Sequence, residues 1–217
     1  MDIRFSPALA ATLLLVVSSL HTTPTMSTQP DSLELSCVAF SADTTAADLA
    51  VRFGAANVVT GPVVGLDDGP TTGTILFPGR ADTRLEIVWQ DGESKRWPAW
   101  IAARDPAKRW RTPSGIVIGV DLQELQRTNG RPFRLAGFQT ELAGRVLSWA
   151  NGRLEPAASA TCGMNVHLQP DWDGTEDFAL VRQVRSGPEY SSAHPAMQGL
   201  NPRVVRVSLS FGRHTAG

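Results

Sequence analysis

The densest run of chemically capable side chains is KRWPAWIAARDPAKRWR, in which six basic residues and three tryptophans stand with a single acid. Cationic groups interleaved with indoles bind phosphates and stack on bases or sugar rings. Lys95, Arg96, Trp97, Trp100, Arg104, Lys108, Arg109, Trp110 and Arg111 are therefore the candidate binding residues. The same pattern also fits an edge strand and loop with Trp97 or Trp100 in the core and arginines in water, the more ordinary outcome for such a run. A second cluster, Asp171-Trp172-Asp173-Gly174-Thr175-Glu176-Asp177, gathers four carboxylates around a glycine. It lacks the third Asp before the glycine and the distal Glu of a calcium loop, so an acidic turn is expected and no metal. With His194, the carboxylates Asp171, Asp173 and Glu176 are the alternative candidates for acid/base hydrolysis, which needs two such groups with separated pKa values in one cleft.

Nucleophilic chemistry has little to draw on. Downstream of residue 27 there are three histidines, His167, His194 and His214, and no G-x-S-x-G. His167 reads as a partly buried structural residue. No H-E-x-x-H, C-x-x-C or phosphate-binding glycine loop occurs, so no cofactor is expected and no motif specifies a reaction. With 20 Lys plus Arg against 21 Asp plus Glu, the chain has no whole-molecule field to hold nucleic acid, and none is expected as a partner.

Compartment is more legible. Arg4 is followed by the 13-residue apolar run ALAATLLLVVSSL and a polar tract rich in Thr, Ser and Pro, the order of a secretory signal peptide over residues 1–27. The run is shorter than the ~20 residues a bilayer-spanning helix needs, and no later run is longer, so no transmembrane segment is expected. Cys37 and Cys162 both lie beyond the leader, where an oxidising compartment favours one disulfide over two thiols; a reduced Cys37 beside His167 is the less economical alternative. Residues 28–217 then make a single domain of ordinary globular composition, exported to the periplasm or beyond.

The elements that must position these groups are mostly strands. Leu33 to Phe40, Gly73 to Phe77, Arg84 to Trp89, Arg96 to Ala103, Ile116 to Ile118, Phe133 to Leu135, Arg145 to Ala150, Cys162 to Leu168 and Val204 to Phe211 carry apolar runs or two-residue alternation. Pro98 argues for an edge or a bend, and Asn151-Gly152 for a hairpin. Two short helices interrupt them. One starts at a Thr45 cap with Asp48 three residues on and ends at Gly54; the other starts at Asp121 with Glu124 and ends at Gly130-Arg131-Pro132. Sliding one over the other by 76 residues superposes their caps and hints at a repeat. The expected fold is α+β: a mostly antiparallel sheet with two short capped helices on one face, and a long irregular segment over residues 169–202.

The segments GTILFPGRADTRLEIVWQD, GIVIGVDLQELQRTNGRPFRLAGF, RFGAANV and VLSWANGRL together resemble a family of uncharacterised exported proteins of Gram-negative bacteria. The resemblance spans residues 35–154 and implies no activity or catalytic residue. A looser likeness, at fold level, is to β-lactamase-inhibitor proteins and outer-membrane-assembly lipoproteins, which mostly bind proteins. The expected function is thus a non-catalytic binding or interaction module of the cell envelope, with an envelope protein or glycan as partner. An envelope hydrolase and a small-ligand or lipid carrier are the alternatives.

Overall fold

The computed structural model describes residue 1 and residues 33–65, 68–156, 161–171, 174 and 177–214. Apart from Met1, the expected leader lies outside the described residues, as do Asp173 and Glu176. Asp31–Gly217 form one compact unit. Along it run β1 (Leu33–Glu34), α1 (Ala46–Phe53), β2 (Val58–Val64), β3 (Pro70–Leu76), β4 (Leu85–Asp91), β5 (Arg96–Arg104), β6 (Trp110–Arg111), α2 (Leu122–Asn129), β7 (Arg134–Leu135), β8 (Val146–Ser148), β9 (Gly163–Gln169), α3 (Phe178–Val184), β10 (Tyr190–Ser191), α4 (Pro195–Leu200) and β11 (Arg203–Ser210). Six strands make one antiparallel sheet in the order β2-β3-β4-β5-β11-β9. Two small sheets, β10-β7-β8 and the parallel pair β1-β6, flank it. The expected α+β architecture is the one observed.

Alternation decides which side of the sheet is core. Leu85, Ile87 and Trp89 of β4, Ile101 and Ala103 of β5, Val166 and Leu168 of β9 and Val207 and Leu209 of β11 join one buried cluster. Leu49 of α1, Leu122 and Leu125 of α2, Val184 of α3 and Ala196 and Met197 of α4 belong to the same cluster, so the helices share one face. Each fully buried Leu, Ile or Phe there contributes about 1.5–3 kcal/mol. In β11 the register shifts between Val204 and Arg206, which turns Val204 into the core and leaves Val205 partly exposed.

The opposite face is covered by the chain's own hairpin. β3 pairs with β4 only over Thr74–Leu76, while β2 and β3 stay paired to their tip at Val64 and Pro70. Beyond that point the hairpin passes close over the sheet: a Cβ on Gly73 would lie 2.2 Å from the Ile87 carbonyl oxygen and 2.7 Å from Val63 Cγ2. Only glycine permits this approach. The tip is then fastened by the Val64 amide, which donates to Glu86 Oε2 at 3.2 Å.

Both anticipated helices are present with their caps. The Thr45 hydroxyl accepts from the Asp48 amide while Asp48 accepts from the Thr45 amide; Asp121 accepts from the Glu124 amide, and Gly130 closes α2 with φ 78°. Gly54 instead takes φ 87° and ψ 134°, a positive-φ exit outside the left-handed helical region, into a single 3₁₀ turn. Other expectations need correction. Leu33 to Phe40 is strand only at β1 and then turns, with the Phe40 amide bonding the Ser36 carbonyl. Ile116 to Ile118 makes a single bridge, at Val117 to Arg111. Pro98 lies in an interior strand, at the β4-β5 register shift opposite Trp89, so the bend reading holds and the edge reading does not. Asn151-Gly152 forms a turn but no hairpin, because Asn129 captures the departing chain: its carbonyl accepts from the Arg153 amide, its side chain from the Leu154 amide. The segment over 169–202 is not structureless; it holds α3, β10 and α4.

Cys37 and Cys162 form a disulfide with Cα atoms 5.6 Å apart, joining the segment after β1 to the start of β9 across 125 residues. Among the described residues, no helix is long and apolar enough to cross a membrane.

Candidate functional site

Antiparallel register brings together groups that are far apart in sequence. Arg206 of β11 stands opposite Arg104 of β5 on one side and His167 of β9 on the other, so the three share one rung on the hairpin-covered face. Two arginines directly opposite each other destabilise a sheet, and burial raises the penalty. Here the Arg206 side chain is only 11% exposed and that of Arg104 27%. Above this rung lies a concavity of about 470 Å³, walled by Val64, Asp68, Asp105, Ala143, Gln169 and Val205.

Acids from four segments answer the charge of the cleft and its rim. Asp68, at the hairpin tip, accepts from Arg206 Nη1 at 2.5 Å and from Arg104 Nη2 at 3.4 Å through the same Oδ1 atom. Glu86, 8% exposed on β4, receives Arg84 at 2.9 Å and lies 3.8 Å from Arg104 Nε. Arg203 spans Asp105, at 3.4 Å, and Asp171. The Arg206 guanidinium also sits 5.7 Å from the centroid of Trp100, a cation over an indole face.

These neighbours set the ionisation of the cleft. Burial pushes the His167 pKa down to about 3, with the charges of Arg206, Arg145 and Arg104 adding to the effect and Asp68 opposing it. The ring is therefore neutral at physiological pH, and its Nδ1 is buried without a hydrogen-bond partner. Burial and then Arg104 lower the Arg206 pKa, which Asp68 partly restores. For Asp68 itself, burial works upward but Arg206 and Arg104 outweigh it, so its carboxyl stays below the ordinary range. The result is an open, arginine-floored cleft with a neutral imidazole on one side.

The structure scatters the candidate segment. Lys95 lies in the β4-β5 turn, with its carbonyl accepting from the Ala46 amide. Arg96 and Trp97 stay together, the guanidinium 4.5 Å from the ring centroid, and His214 stacks on the same indole at 3.9 Å. Trp100 is buried beneath Arg206, and only Arg104 reaches the cleft. Lys108 is exposed. Arg109 lies 3.9 Å from Asp82, and Arg111 donates to the Gly115 carbonyl at 3.1 Å. Trp110 is core, its indole N–H donating to the Thr83 carbonyl at 2.8 Å. Of the hydrolase candidates, Asp171 is engaged by Arg203, whereas His194 caps α4 by accepting from the Ala196 amide at Nδ1. Among the described residues, no group of three or more His, Cys, Asp or Glu is placed to hold a metal ion.

Sequence reasoning missed the cleft because its members, Asp68, Arg104, His167 and Arg206, have no local spacing in common. A signal existed in the strand phases: Arg104, His167 and Arg206 all fall on the polar side of their strands, but strand order was needed to place them on one rung. A second concavity, about 510 Å³, flanks the disulfide between Val38, Pro113, Leu154, Pro156 and Met164. Its walls are largely apolar, and it holds no comparable set of charges. No protein-family model, curated protein or solved structure significantly matches this chain.

Proposed function

We propose that the protein is an exported, non-catalytic binding module of the envelope of a Gram-negative bacterium, and that its partner is held at the cleft on Arg104, Arg206 and His167. The observation that carries this reading is the rung of two opposed, largely buried arginines. Folding gains nothing from facing like charges across a strand pair, since apolar residues of similar volume would fill the same space at lower cost. Such an arrangement is expected where a site has been kept at the expense of stability. The disulfide supports maturation in an oxidising compartment, and the resemblance to exported proteins points the same way.

Crosslinking in native envelopes tests the reading. A photoreactive group at Val205, on the cleft wall, should yield an adduct with an envelope component, and the pair Arg104→Gln plus Arg206→Gln should abolish it. A group at Glu124, on the exposed side of α2, should not give that adduct. Equal labelling from both positions would refute the cleft as the binding site. Turnover of a wall fragment, ester or peptide that one substitution abolishes would refute the non-catalytic role.

A further inference from the structure

Among the described residues, Asp68 is the one acid of the cleft that reaches both guanidiniums through a single oxygen, and it sits at a hairpin tip rather than on a sheet strand. Its side chain is half exposed, at 50%, while the arginine it holds is 11% exposed. Of the other described acids, Glu86 lies 3.8 Å from Arg104 Nε but is held by Arg84 and the Val64 amide, and Asp105 and Asp171 pair with Arg203. The exposed carboxylate therefore stands at the mouth of a site whose buried floor is basic. Beside it, His167 Nδ1 is buried without a partner in a residue 5% exposed.

We propose that this cleft is a carboxylate-binding site, which the chain's own Asp68 fills in the present state and which an acidic side chain of a partner protein takes over. The inference rests on the binding role proposed above and supplies its ligand class. Three features select a peptide-borne carboxylate. The group now in place is itself the side chain of an aspartate in a peptide. Carboxylate oxygens accept from two guanidiniums in the geometry already present. The apolar rim of Val64, Ala143 and Val205 suits the backbone and methylene of an entering residue better than a fully hydrated anion. Because Asp68 competes from within, apparent affinity is reduced by the fraction of molecules in which it occupies the arginines.

The test titrates the purified chain, disulfide intact, with N-acetylaspartate amide at constant ionic strength, following binding by calorimetry and by the rise in melting temperature. Asp68→Asn and Asp68→Ala should each tighten binding roughly five- to tenfold, the range set by a half-exposed charge-assisted bond. Arg206→Gln should remove binding, and Glu124→Gln, on a remote surface pair, should leave it unchanged. Arg206→Gln must melt cooperatively with the disulfide formed; should it fail to, Arg104→Gln carries the same expectation. Inorganic phosphate or glucuronate binding more tightly than the aspartate derivative would overturn the assignment to a peptide carboxylate. Equal affinity in wild type and both Asp68 variants would overturn the internal competitor. If no anion binds any variant while the arginine-dependent crosslink persists, the ligand class is wrong and the binding role stands; loss of both removes the two together.

Discussion

Acidification should unfold this protein through His167, and the size of the effect follows from the cleft. The folded ring resists protonation until about pH 3, whereas the unfolded chain takes up the proton near 6.5. The unfolded state thus binds more protons between these values, and the contribution is fully present above pH 6.5 and lost as pH falls through the window. For one such proton, stability drops by about 2–3 kcal/mol between pH 6 and pH 4, and by about 4 kcal/mol from neutral pH to pH 3. Urea unfolding of wild type and His167→Gln at pH 4, 5, 6 and 7 isolates this term, because carboxylate titrations are shared and cancel in the difference. The gap between the two curves should change by about 2–3 kcal/mol from pH 6 to pH 4. Arg206→Met removes the nearest source of repulsion, so the imidazole should titrate at higher pH and the acid-dependent loss should shrink. Parallel profiles for wild type and His167→Gln, or an unchanged profile in Arg206→Met, would refute the account of a neutral imidazole held by burial and arginine charge.

Other expectations concern the frame around the cleft. Gly73→Val forces a side chain into the Ile87 carbonyl and should destabilise by about 2–4 kcal/mol, read as a lower urea midpoint. Cys37→Ser with Cys162→Ser opens a 125-residue loop and should lower stability by up to ~5 kcal/mol, visible as a fall in melting temperature that reductant reproduces in wild type. Asn129→Leu keeps the branched shape but strands the Trp149 carbonyl and the Leu154 amide, for a loss of about 2–4 kcal/mol in chemical denaturation.

Legibility from sequence tracked how local each signal was. The helices at Thr45 and Asp121 were readable because a cap, its acidic partner and the closing glycine lie within about ten residues. In β11 the alternation predicted Val205 inward, and a bulge reversed that one residue while leaving Val207 and Leu209 in place. The Trp and Arg segment misled because it runs through more than one element: Trp100 and Arg104 share the hairpin-covered face of β5, Arg96 stands at the strand's start beyond a register shift, and Trp110 belongs to β6 and enters the core. Asn151-Gly152 showed the limit of turn chemistry, since the dipeptide turns the chain but a buried Asn129 decides where it goes next. The arginine rung needed the order of strands, which no local pattern encodes.

That order has a consequence for how the molecule is made. β11, the last strand of the described chain, sits between β5 and β9. During synthesis, every earlier strand emerges before the one that must be wedged into the middle. Until residue 203 and its successors arrive, β5 presents a bare hydrogen-bonding edge and β9 has no main-sheet neighbour. The nascent polypeptide is therefore most open to mispairing and to proteases late in its production, and assembly of the arginine rung coincides with the final step of sheet closure.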